Sequence, residues 1–185
     1  MSIDLKYGVP TVCLHTSMFT TVTKSVVRMN GAPPGPKAVP GATIVADVKS
    51  SDTLFDRIAT LGGRPVMGRT GHSQMKRRMK ETGAPLAGEL SGHIFFADDY
   101  FGFDDALYSS ARLVEIVSKH TGPMSSLLSG LPQMVSTPEI RVDCPEEIKF
   151  QIAKEAQSAF PEHKVDTIDG VRVTFEKGWG LVRAS

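Results

Sequence analysis

At 185 residues, with 41% apolar and 22% charged residues, the chain has a globular composition and room for one ordinary domain or two small ones. A net charge of +1 gives no overall pull toward nucleic acid or a membrane surface, and no apolar run is long enough to span a bilayer. Cys13 and Cys144 are far apart and lack metal-ligand spacing, and the N-terminus lacks a basic-then-apolar signal pattern, so free thiols and a cytoplasmic location are expected.

Residues 1–40 differ from the rest. Asp4 is their only acid, Thr, Ser and Val dominate residues 11–27, and Gly31-Ala32-Pro33-Pro34-Gly35-Pro36 is a breaker cluster. No helical or alternating period stands out, and the segment reads as a poorly ordered leader or as an out-of-frame stretch. Order begins at Pro40. Thr43-Ile44-Val45-Ala46 predicts a buried strand, and Ser51 caps a helix with Leu54, Ile58 and Leu61 on one face. Gly62-Gly63 ends that helix, and Arg64-Pro65-Val66-Met67 predicts a second strand parallel to the first. Ser73 is a candidate cap for a helix carrying Met75 and Met79 and ending near Gly83. Gly88 to Phe96 predicts the third strand region. Asp104 and Asp105 then open a helix expected to bury Leu107, Ala111, Val114 and Val117 or Ser118.

Residues 121–135 are Gly-, Pro- and Ser-rich and predict a linker. Beyond it, Ile140 and Val142 alternate with Arg141 and Asp143, and Pro145 suits the first turn of a helix with Ile148, Ile152 and Ala156 on one face. Asp169-Gly170 signals a hairpin, and Trp179 to Arg183 a last strand. The fold expected is an α/β domain over 41–120 followed by an α+β domain over 136–185.

The run Gly88-Glu89-Leu90-Ser91-Gly92-His93 concentrates chemistry. An ionised Glu89 can accept two sugar hydroxyls at once, Ser91 and His93 add polar contacts, and the flanking glycines permit a sharp turn and close approach to a ligand. The plain alternative is a polar turn before a strand. His72 stands at a helix start, where free N–H groups attract anions, or it merely caps that helix. Lys49 follows a strand, where α/β sheets place ligand contacts, or is a surface lysine. Lys76-Arg77-Arg78 with Lys80 lacks interleaved aromatics and reads as a solvated helix face, not a nucleic-acid site. The Asp98-Asp99 and Asp104-Asp105 pairs suit capping better than metal binding, and no metal ligand is assigned.

Asp47-Val48-Lys49-Ser50-Ser51, Arg69-Thr70-Gly71-His72-Ser73, the Gly88-to-His93 run, Phe101-Gly102-Phe103-Asp104-Asp105 and Arg183-Ala184-Ser185 occur in that order. Together they resemble the second half of the α-D-phosphohexomutases, the phosphomannomutase/phosphoglucomutase family. The resemblance implies a three-layer α/β third domain with a mixed sheet and an incomplete fourth domain. It implies that Lys49, His72, Glu89, Ser91 and His93 line a cleft for glucose or mannose phosphates, and that Arg183 and Ser185 begin a phosphate-binding loop. That loop continues in the family with Asn and Thr, which do not follow here, and the last strand is expected to present an open edge. The family's phosphoserine loop and its Asp-Gly-Asp-Gly-Asp magnesium loop are not in this sequence, nor is a catalytic residue assigned. The resemblance therefore implies a fragment that binds sugar but is inactive alone. Magnesium and a hexose 1,6-bisphosphate belong to the full-length family. A sugar-phosphate-binding module without catalysis is the alternative.

Overall fold

The computed structural model describes residues 2–8, 23, 41–132 and 135–184. Along the chain run β1 (Ser2–Gly8), β2 (Thr43–Asp47), α1 (Asp52–Thr60), β3 (Arg64–Gly68), α2 (His72–Thr82), β4 (Leu86–Gly88), β5 (Ile94–Phe96), β6 (Phe103–Asp104) and α3 (Ala106–Ser118). There follow a 3-10 turn at Met124–Leu128, then β7 (Ile140–Asp143), α4 (Lys149–Glu155), β8 (Lys164–Asp166), β9 (Val171–Phe175) and β10 (Gly178–Ala184). The chain divides into two compact units, Val12–Pro132 and Met1–Thr11 with Gln133–Ser185. No helix among the described residues is long and apolar enough to cross a membrane.

In the first unit the sheet order is β3-β2-β4-β5-β6, with β3, β2 and β4 parallel and β5 and β6 antiparallel additions. Successive strand residues point to opposite faces, and both faces are covered, which is why the strands read as continuous apolar runs. Ile44, Ala46, Leu86, Ile94 and Phe96 pack with Leu54, Ile58 and Leu61 of the α1 region, with Tyr108 and Ile116 of α3 at the margin. Val45, Ala87 and Phe95 face the other way, onto Met75 and Met79 of α2. This is the expected α/β layering with a mixed sheet. Ser51 caps α1, its hydroxyl accepting the Thr53 N–H at 3.3 Å, and Gly83 ends α2 in the left-handed region at φ 65°.

Three local expectations change. The third strand region is a hairpin, β4 and β5, with the Glu89-to-His93 run as its loop. Ser73 caps nothing; α2 starts from Gly71, which has no side-chain cap of its own. Helix α3 buries a different face. Leu107 is 85% and Val114 66% exposed, while Tyr108, Arg112 and Ile116 turn inward. Arg112 decides the rotation: its Nη1 bonds both oxygens of the almost fully buried Asp98 at 3.1 and 3.3 Å, and its guanidinium lies 4.9 Å from the Phe96 ring centroid. Tyr108 stacks on Tyr100 at 4.1 Å. These anchors outweigh the burial of the opposite aliphatic stripe. Asp105 caps α3, accepting the Tyr108 N–H at 2.9 Å.

The second unit is an antiparallel sheet in the order β7-β1-β10-β9-β8. Strand β1 comes from the segment in which no period was legible; the rest of that segment, with Cys13 and the Pro/Gly cluster, lies outside the described residues, Thr23 excepted. Its pairing also corrects the open edge expected for the last strand, because β10 is flanked by β1 and β9. Val171, Val173, Trp179 and Leu181 are buried, and Arg172 sits 4.2 Å over the Trp179 ring. The helix after Pro145 starts later than expected: Lys149 is buried, its Nζ 2.8 Å from Glu146, while Ile148 is exposed. Both Ile140 and Val142 of β7 are exposed, so their alternation with polar residues marks no buried face. Cys144 is a free thiol.

Candidate functional site

Parallel strands β2, β3 and β4 end on the same edge of their sheet, so the loops that follow them converge, the usual place for a ligand in an open α/β sheet. The three loops are tied by one side chain. Asp47, fully buried at the end of β2, accepts from Ser50 Oγ at 2.7 Å, from the Leu90 N–H at 3.1 Å and from Thr70 Oγ1 at 3.1 Å. Burial pushes its carboxyl above the ordinary carboxylate value, against the pull of those three hydrogen bonds, and the Glu89 charge adds to the rise. Sequence reasoning placed Asp47 in a motif but gave it no role; an acid closing an otherwise apolar strand was the available signal.

The hairpin loop is closed by Glu89 and His93. The Glu89 N–H donates to the His93 carbonyl at 2.9 Å, and the Gly92 N–H to the Glu89 carbonyl at 3.0 Å, with Gly92 at φ 97°. This left-handed turn brings the Glu89 and His93 side chains to one place. Glu89 is 6% exposed, and its Oε1 accepts the Gly71 N–H at 2.5 Å. A carboxylate thus serves the N-terminus of α2, where the helix dipole favours negative charge. Its Oε2 accepts from Ser91 Oγ at 3.3 Å.

His72, the first residue of α2, meets His93 edge-on at 4.3 Å between ring centroids and Phe95 at 5.4 Å. Asp104 of β6 completes the cluster: its Oδ2 lies 2.6 Å from His93 Nδ1 and 3.5 Å from His72 Nε2. The sequence predicts Asp104 as a helix-opening acid; it is instead the strand residue that orients both imidazoles, while Asp105 does the capping. One donor atom each from His72, Glu89 and His93 lie within 4.8 Å of one another.

Of the residues singled out in the sequence, His72, Glu89, Ser91 and His93 are brought together. Lys49 is half-buried in the loop after β2, two residues from Asp47. The basic run on α2 shows Lys76, Arg77 and Lys80 exposed, with Arg78 3.4 Å from Glu81. In the other unit, Arg183 is already engaged, its Nε donating to Asp169 Oδ2 at 2.9 Å. Ser185 lies outside the described residues.

A parallel sheet with helices on both faces, extended by antiparallel strands and carrying polar loops at its carboxyl edge, defines a three-layer α/β/α domain. Residues 25–135 match the family model described as phosphoglucomutase/phosphomannomutase, alpha/beta/alpha domain III, and the chain belongs to that family. It is 51% identical over 148 residues to the phosphomannomutase/phosphoglucomutase of Pseudomonas aeruginosa, covering 79% of this chain and 32% of that protein. It is 47% identical over 150 residues to a phosphoglucomutase of Neisseria gonorrhoeae, with the same coverage. A crystal structure of a phosphoglucomutase/phosphomannomutase family protein from Burkholderia thailandensis superposes with a TM-score of 0.76 at 42% identity, over 92% of this chain and 34% of that one. The chain thus spans about a third of the length of these relatives.

Proposed function

We propose that this chain supplies the sugar-recognition part of a phosphohexomutase, binding a glucose or mannose phosphate at the loops after β2, β3 and β4. The observation that carries the reading is the buried Glu89 carboxylate, fixed at the α2 N-terminus and ringed by Ser91, His72 and His93. A carboxylate held in this way needs no reordering to accept hydrogen bonds from two neighbouring sugar hydroxyls. Ser91 and the imidazoles supply donors or acceptors to the other ring oxygens, and Lys49 offers a charge to the phosphate. The parent reaction is intramolecular phosphoryl transfer between C1 and C6 of a hexose phosphate, through a hexose 1,6-bisphosphate.

Phosphoryl transfer needs a placed nucleophile and charge neutralisation, which a magnesium ion supplies in this family. Magnesium takes oxygen ligands in near-octahedral array. The donors gathered at this site include two imidazoles and do not fit it. The chain alone is expected to bind without turning over. Arg183 would have to leave Asp169 to reach a phosphate, so it adds little to binding.

Calorimetric titration with glucose 1-phosphate and mannose 1-phosphate tests the reading. Saturable binding that falls about tenfold or more in Glu89→Gln, equivalent to about 1.4 kcal/mol or more, supports it. Binding that is absent, or indifferent to Glu89, overturns it. Conversion of mannose 1-phosphate to mannose 6-phosphate by the purified chain would contradict the expected inactivity. Binding without conversion fits equally a sugar-phosphate-binding module, and a coupled assay with the remaining part of a relative separates the two.

A further inference from the structure

We infer that His72, His93 and Glu89 form a binding site for a borderline-soft divalent cation of the zinc class, held in place by Asp104. The donor set is two imidazoles and one carboxylate, a combination that suits zinc with a further position left to solvent. Donor atoms on a tetrahedral zinc lie roughly 3.4 Å apart, given bonds of about 2.0–2.1 Å. Those of His72, His93 and Glu89 already lie within 4.8 Å of one another. The remaining closure falls to small rotations of the two histidine side chains, which are 50% and 42% exposed, about the contacts that Asp104 makes with them.

Two further contacts do what an outer shell does in a metal site. Asp104 Oδ2 takes one nitrogen of His93 at 2.6 Å, which fixes the ring and leaves Nε2 for a cation. The Gly71 N–H holds Glu89 Oε1, leaving Oε2, shared only with the Ser91 hydroxyl, as the ligand oxygen. Because these side chains are also the proposed sugar contacts, the inference adds a regulatory consequence that rests on that reading: a bound cation and a hexose phosphate exclude one another.

The test is a zinc titration of the whole chain, followed by calorimetry, beside His72→Ala, His93→Ala, Asp104→Asn and the control His120→Ala. One equivalent of zinc is expected to bind, with binding lost in the first two variants and unchanged in the control. Asp104→Asn, which removes no ligand, is expected to weaken it about 10- to 100-fold. Magnesium should not compete. Circular dichroism checks that each variant is folded, and Asp104→Asn provides the readout if a histidine variant is not. Zinc uptake unaffected by all three changes, as thiol binding would be, overturns the inference, as does no uptake at all. Zinc bound through the histidines but indifferent to glucose 1-phosphate upholds the cation site and removes the shared sugar site.

Discussion

Asp47 accepts a hydrogen bond from Ser50, Thr70 and the Leu90 N–H, one donor from each of the loops after β2, β3 and β4. Asp47→Ala removes the shared acceptor of three donors at once, one in each of the three proposed sugar loops. At about 1 kcal/mol for each hydrogen bond lost, a loss of about 3 kcal/mol is expected in urea denaturation. Asp47→Asn keeps a carbonyl for Ser50 and Leu90, and the Thr70 hydroxyl can turn to accept from the new amide, so its cost should stay within about 1 kcal/mol. The two variants also separate in pH dependence. The folded state raises the Asp47 pKa, so the folded protein holds that proton more tightly than the unfolded chain. The contribution of Asp47 is therefore greatest at acid pH and declines as pH rises from the ordinary carboxylate value through the raised one. Asp47→Asn should remove that decline. An unchanged pH profile in the variant would count against it. Asp105 works the other way: the Tyr108 N–H and the Tyr100 hydroxyl hold its carboxyl below the ordinary value, so its support for α3 is present at neutral pH and is lost on acidification.

At the scale of elements, the parallel strands and helices α1 and α2 were legible because their apolar spacing, their glycine stops and the Ser51 cap agree with one another. Leu54 and Ile58, or Met75 and Met79, could go nowhere but under the sheet. Helix α3 was not legible in the same way. Its sequence carries two stripes, Leu107-Ala111-Val114 and Tyr108-Arg112-Ile116, and the choice between them rests on Asp98, which is distant on the helix pattern and buried only by the fold. Arg112→Met tests that account. It leaves the Asp98 carboxylate buried without its partner and is expected to cost about 3–5 kcal/mol, with much of the loss recovered in the double variant Arg112→Met, Asp98→Asn. The site divided likewise. Glu89, Ser91, His93 and His72 announced themselves by residue type and glycine spacing, whereas Asp47 and Asp104 act through partners 43 and 11 residues away, which no local pattern records.

Across the whole molecule the two units can be followed separately, because Trp179, the only tryptophan, is buried in the second. Asp47→Ala should shift the far-ultraviolet unfolding curve and leave the tryptophan curve in place. Gly170→Ala should move the tryptophan curve, together with the part of the far-ultraviolet signal that the second sheet contributes. Gly170 has φ 90°, and a Cβ there would run into the Val182 carbonyl and Arg183 on β10. The left-handed backbone alone costs about 1–2 kcal/mol, and the contact adds to it. A tryptophan transition unmoved by Gly170→Ala would show that this hairpin does not set the stability of the second unit.

The pairing of β1 with β10, in which Ile3 lies opposite Ala184, has a consequence for biogenesis. Every strand pair of the first sheet joins segments within residues 43–104, so that sheet can close while the rest of the chain is still being translated. The second sheet has a much higher contact order: the pairing of β1 with β10 can form only once residues 178–184 are made, after everything between has been synthesised. That interval is when the nascent chain is most exposed to wrong strand pairing, and a chaperone that shields residues 2–8 would be expected to raise the yield of the second unit without altering the first.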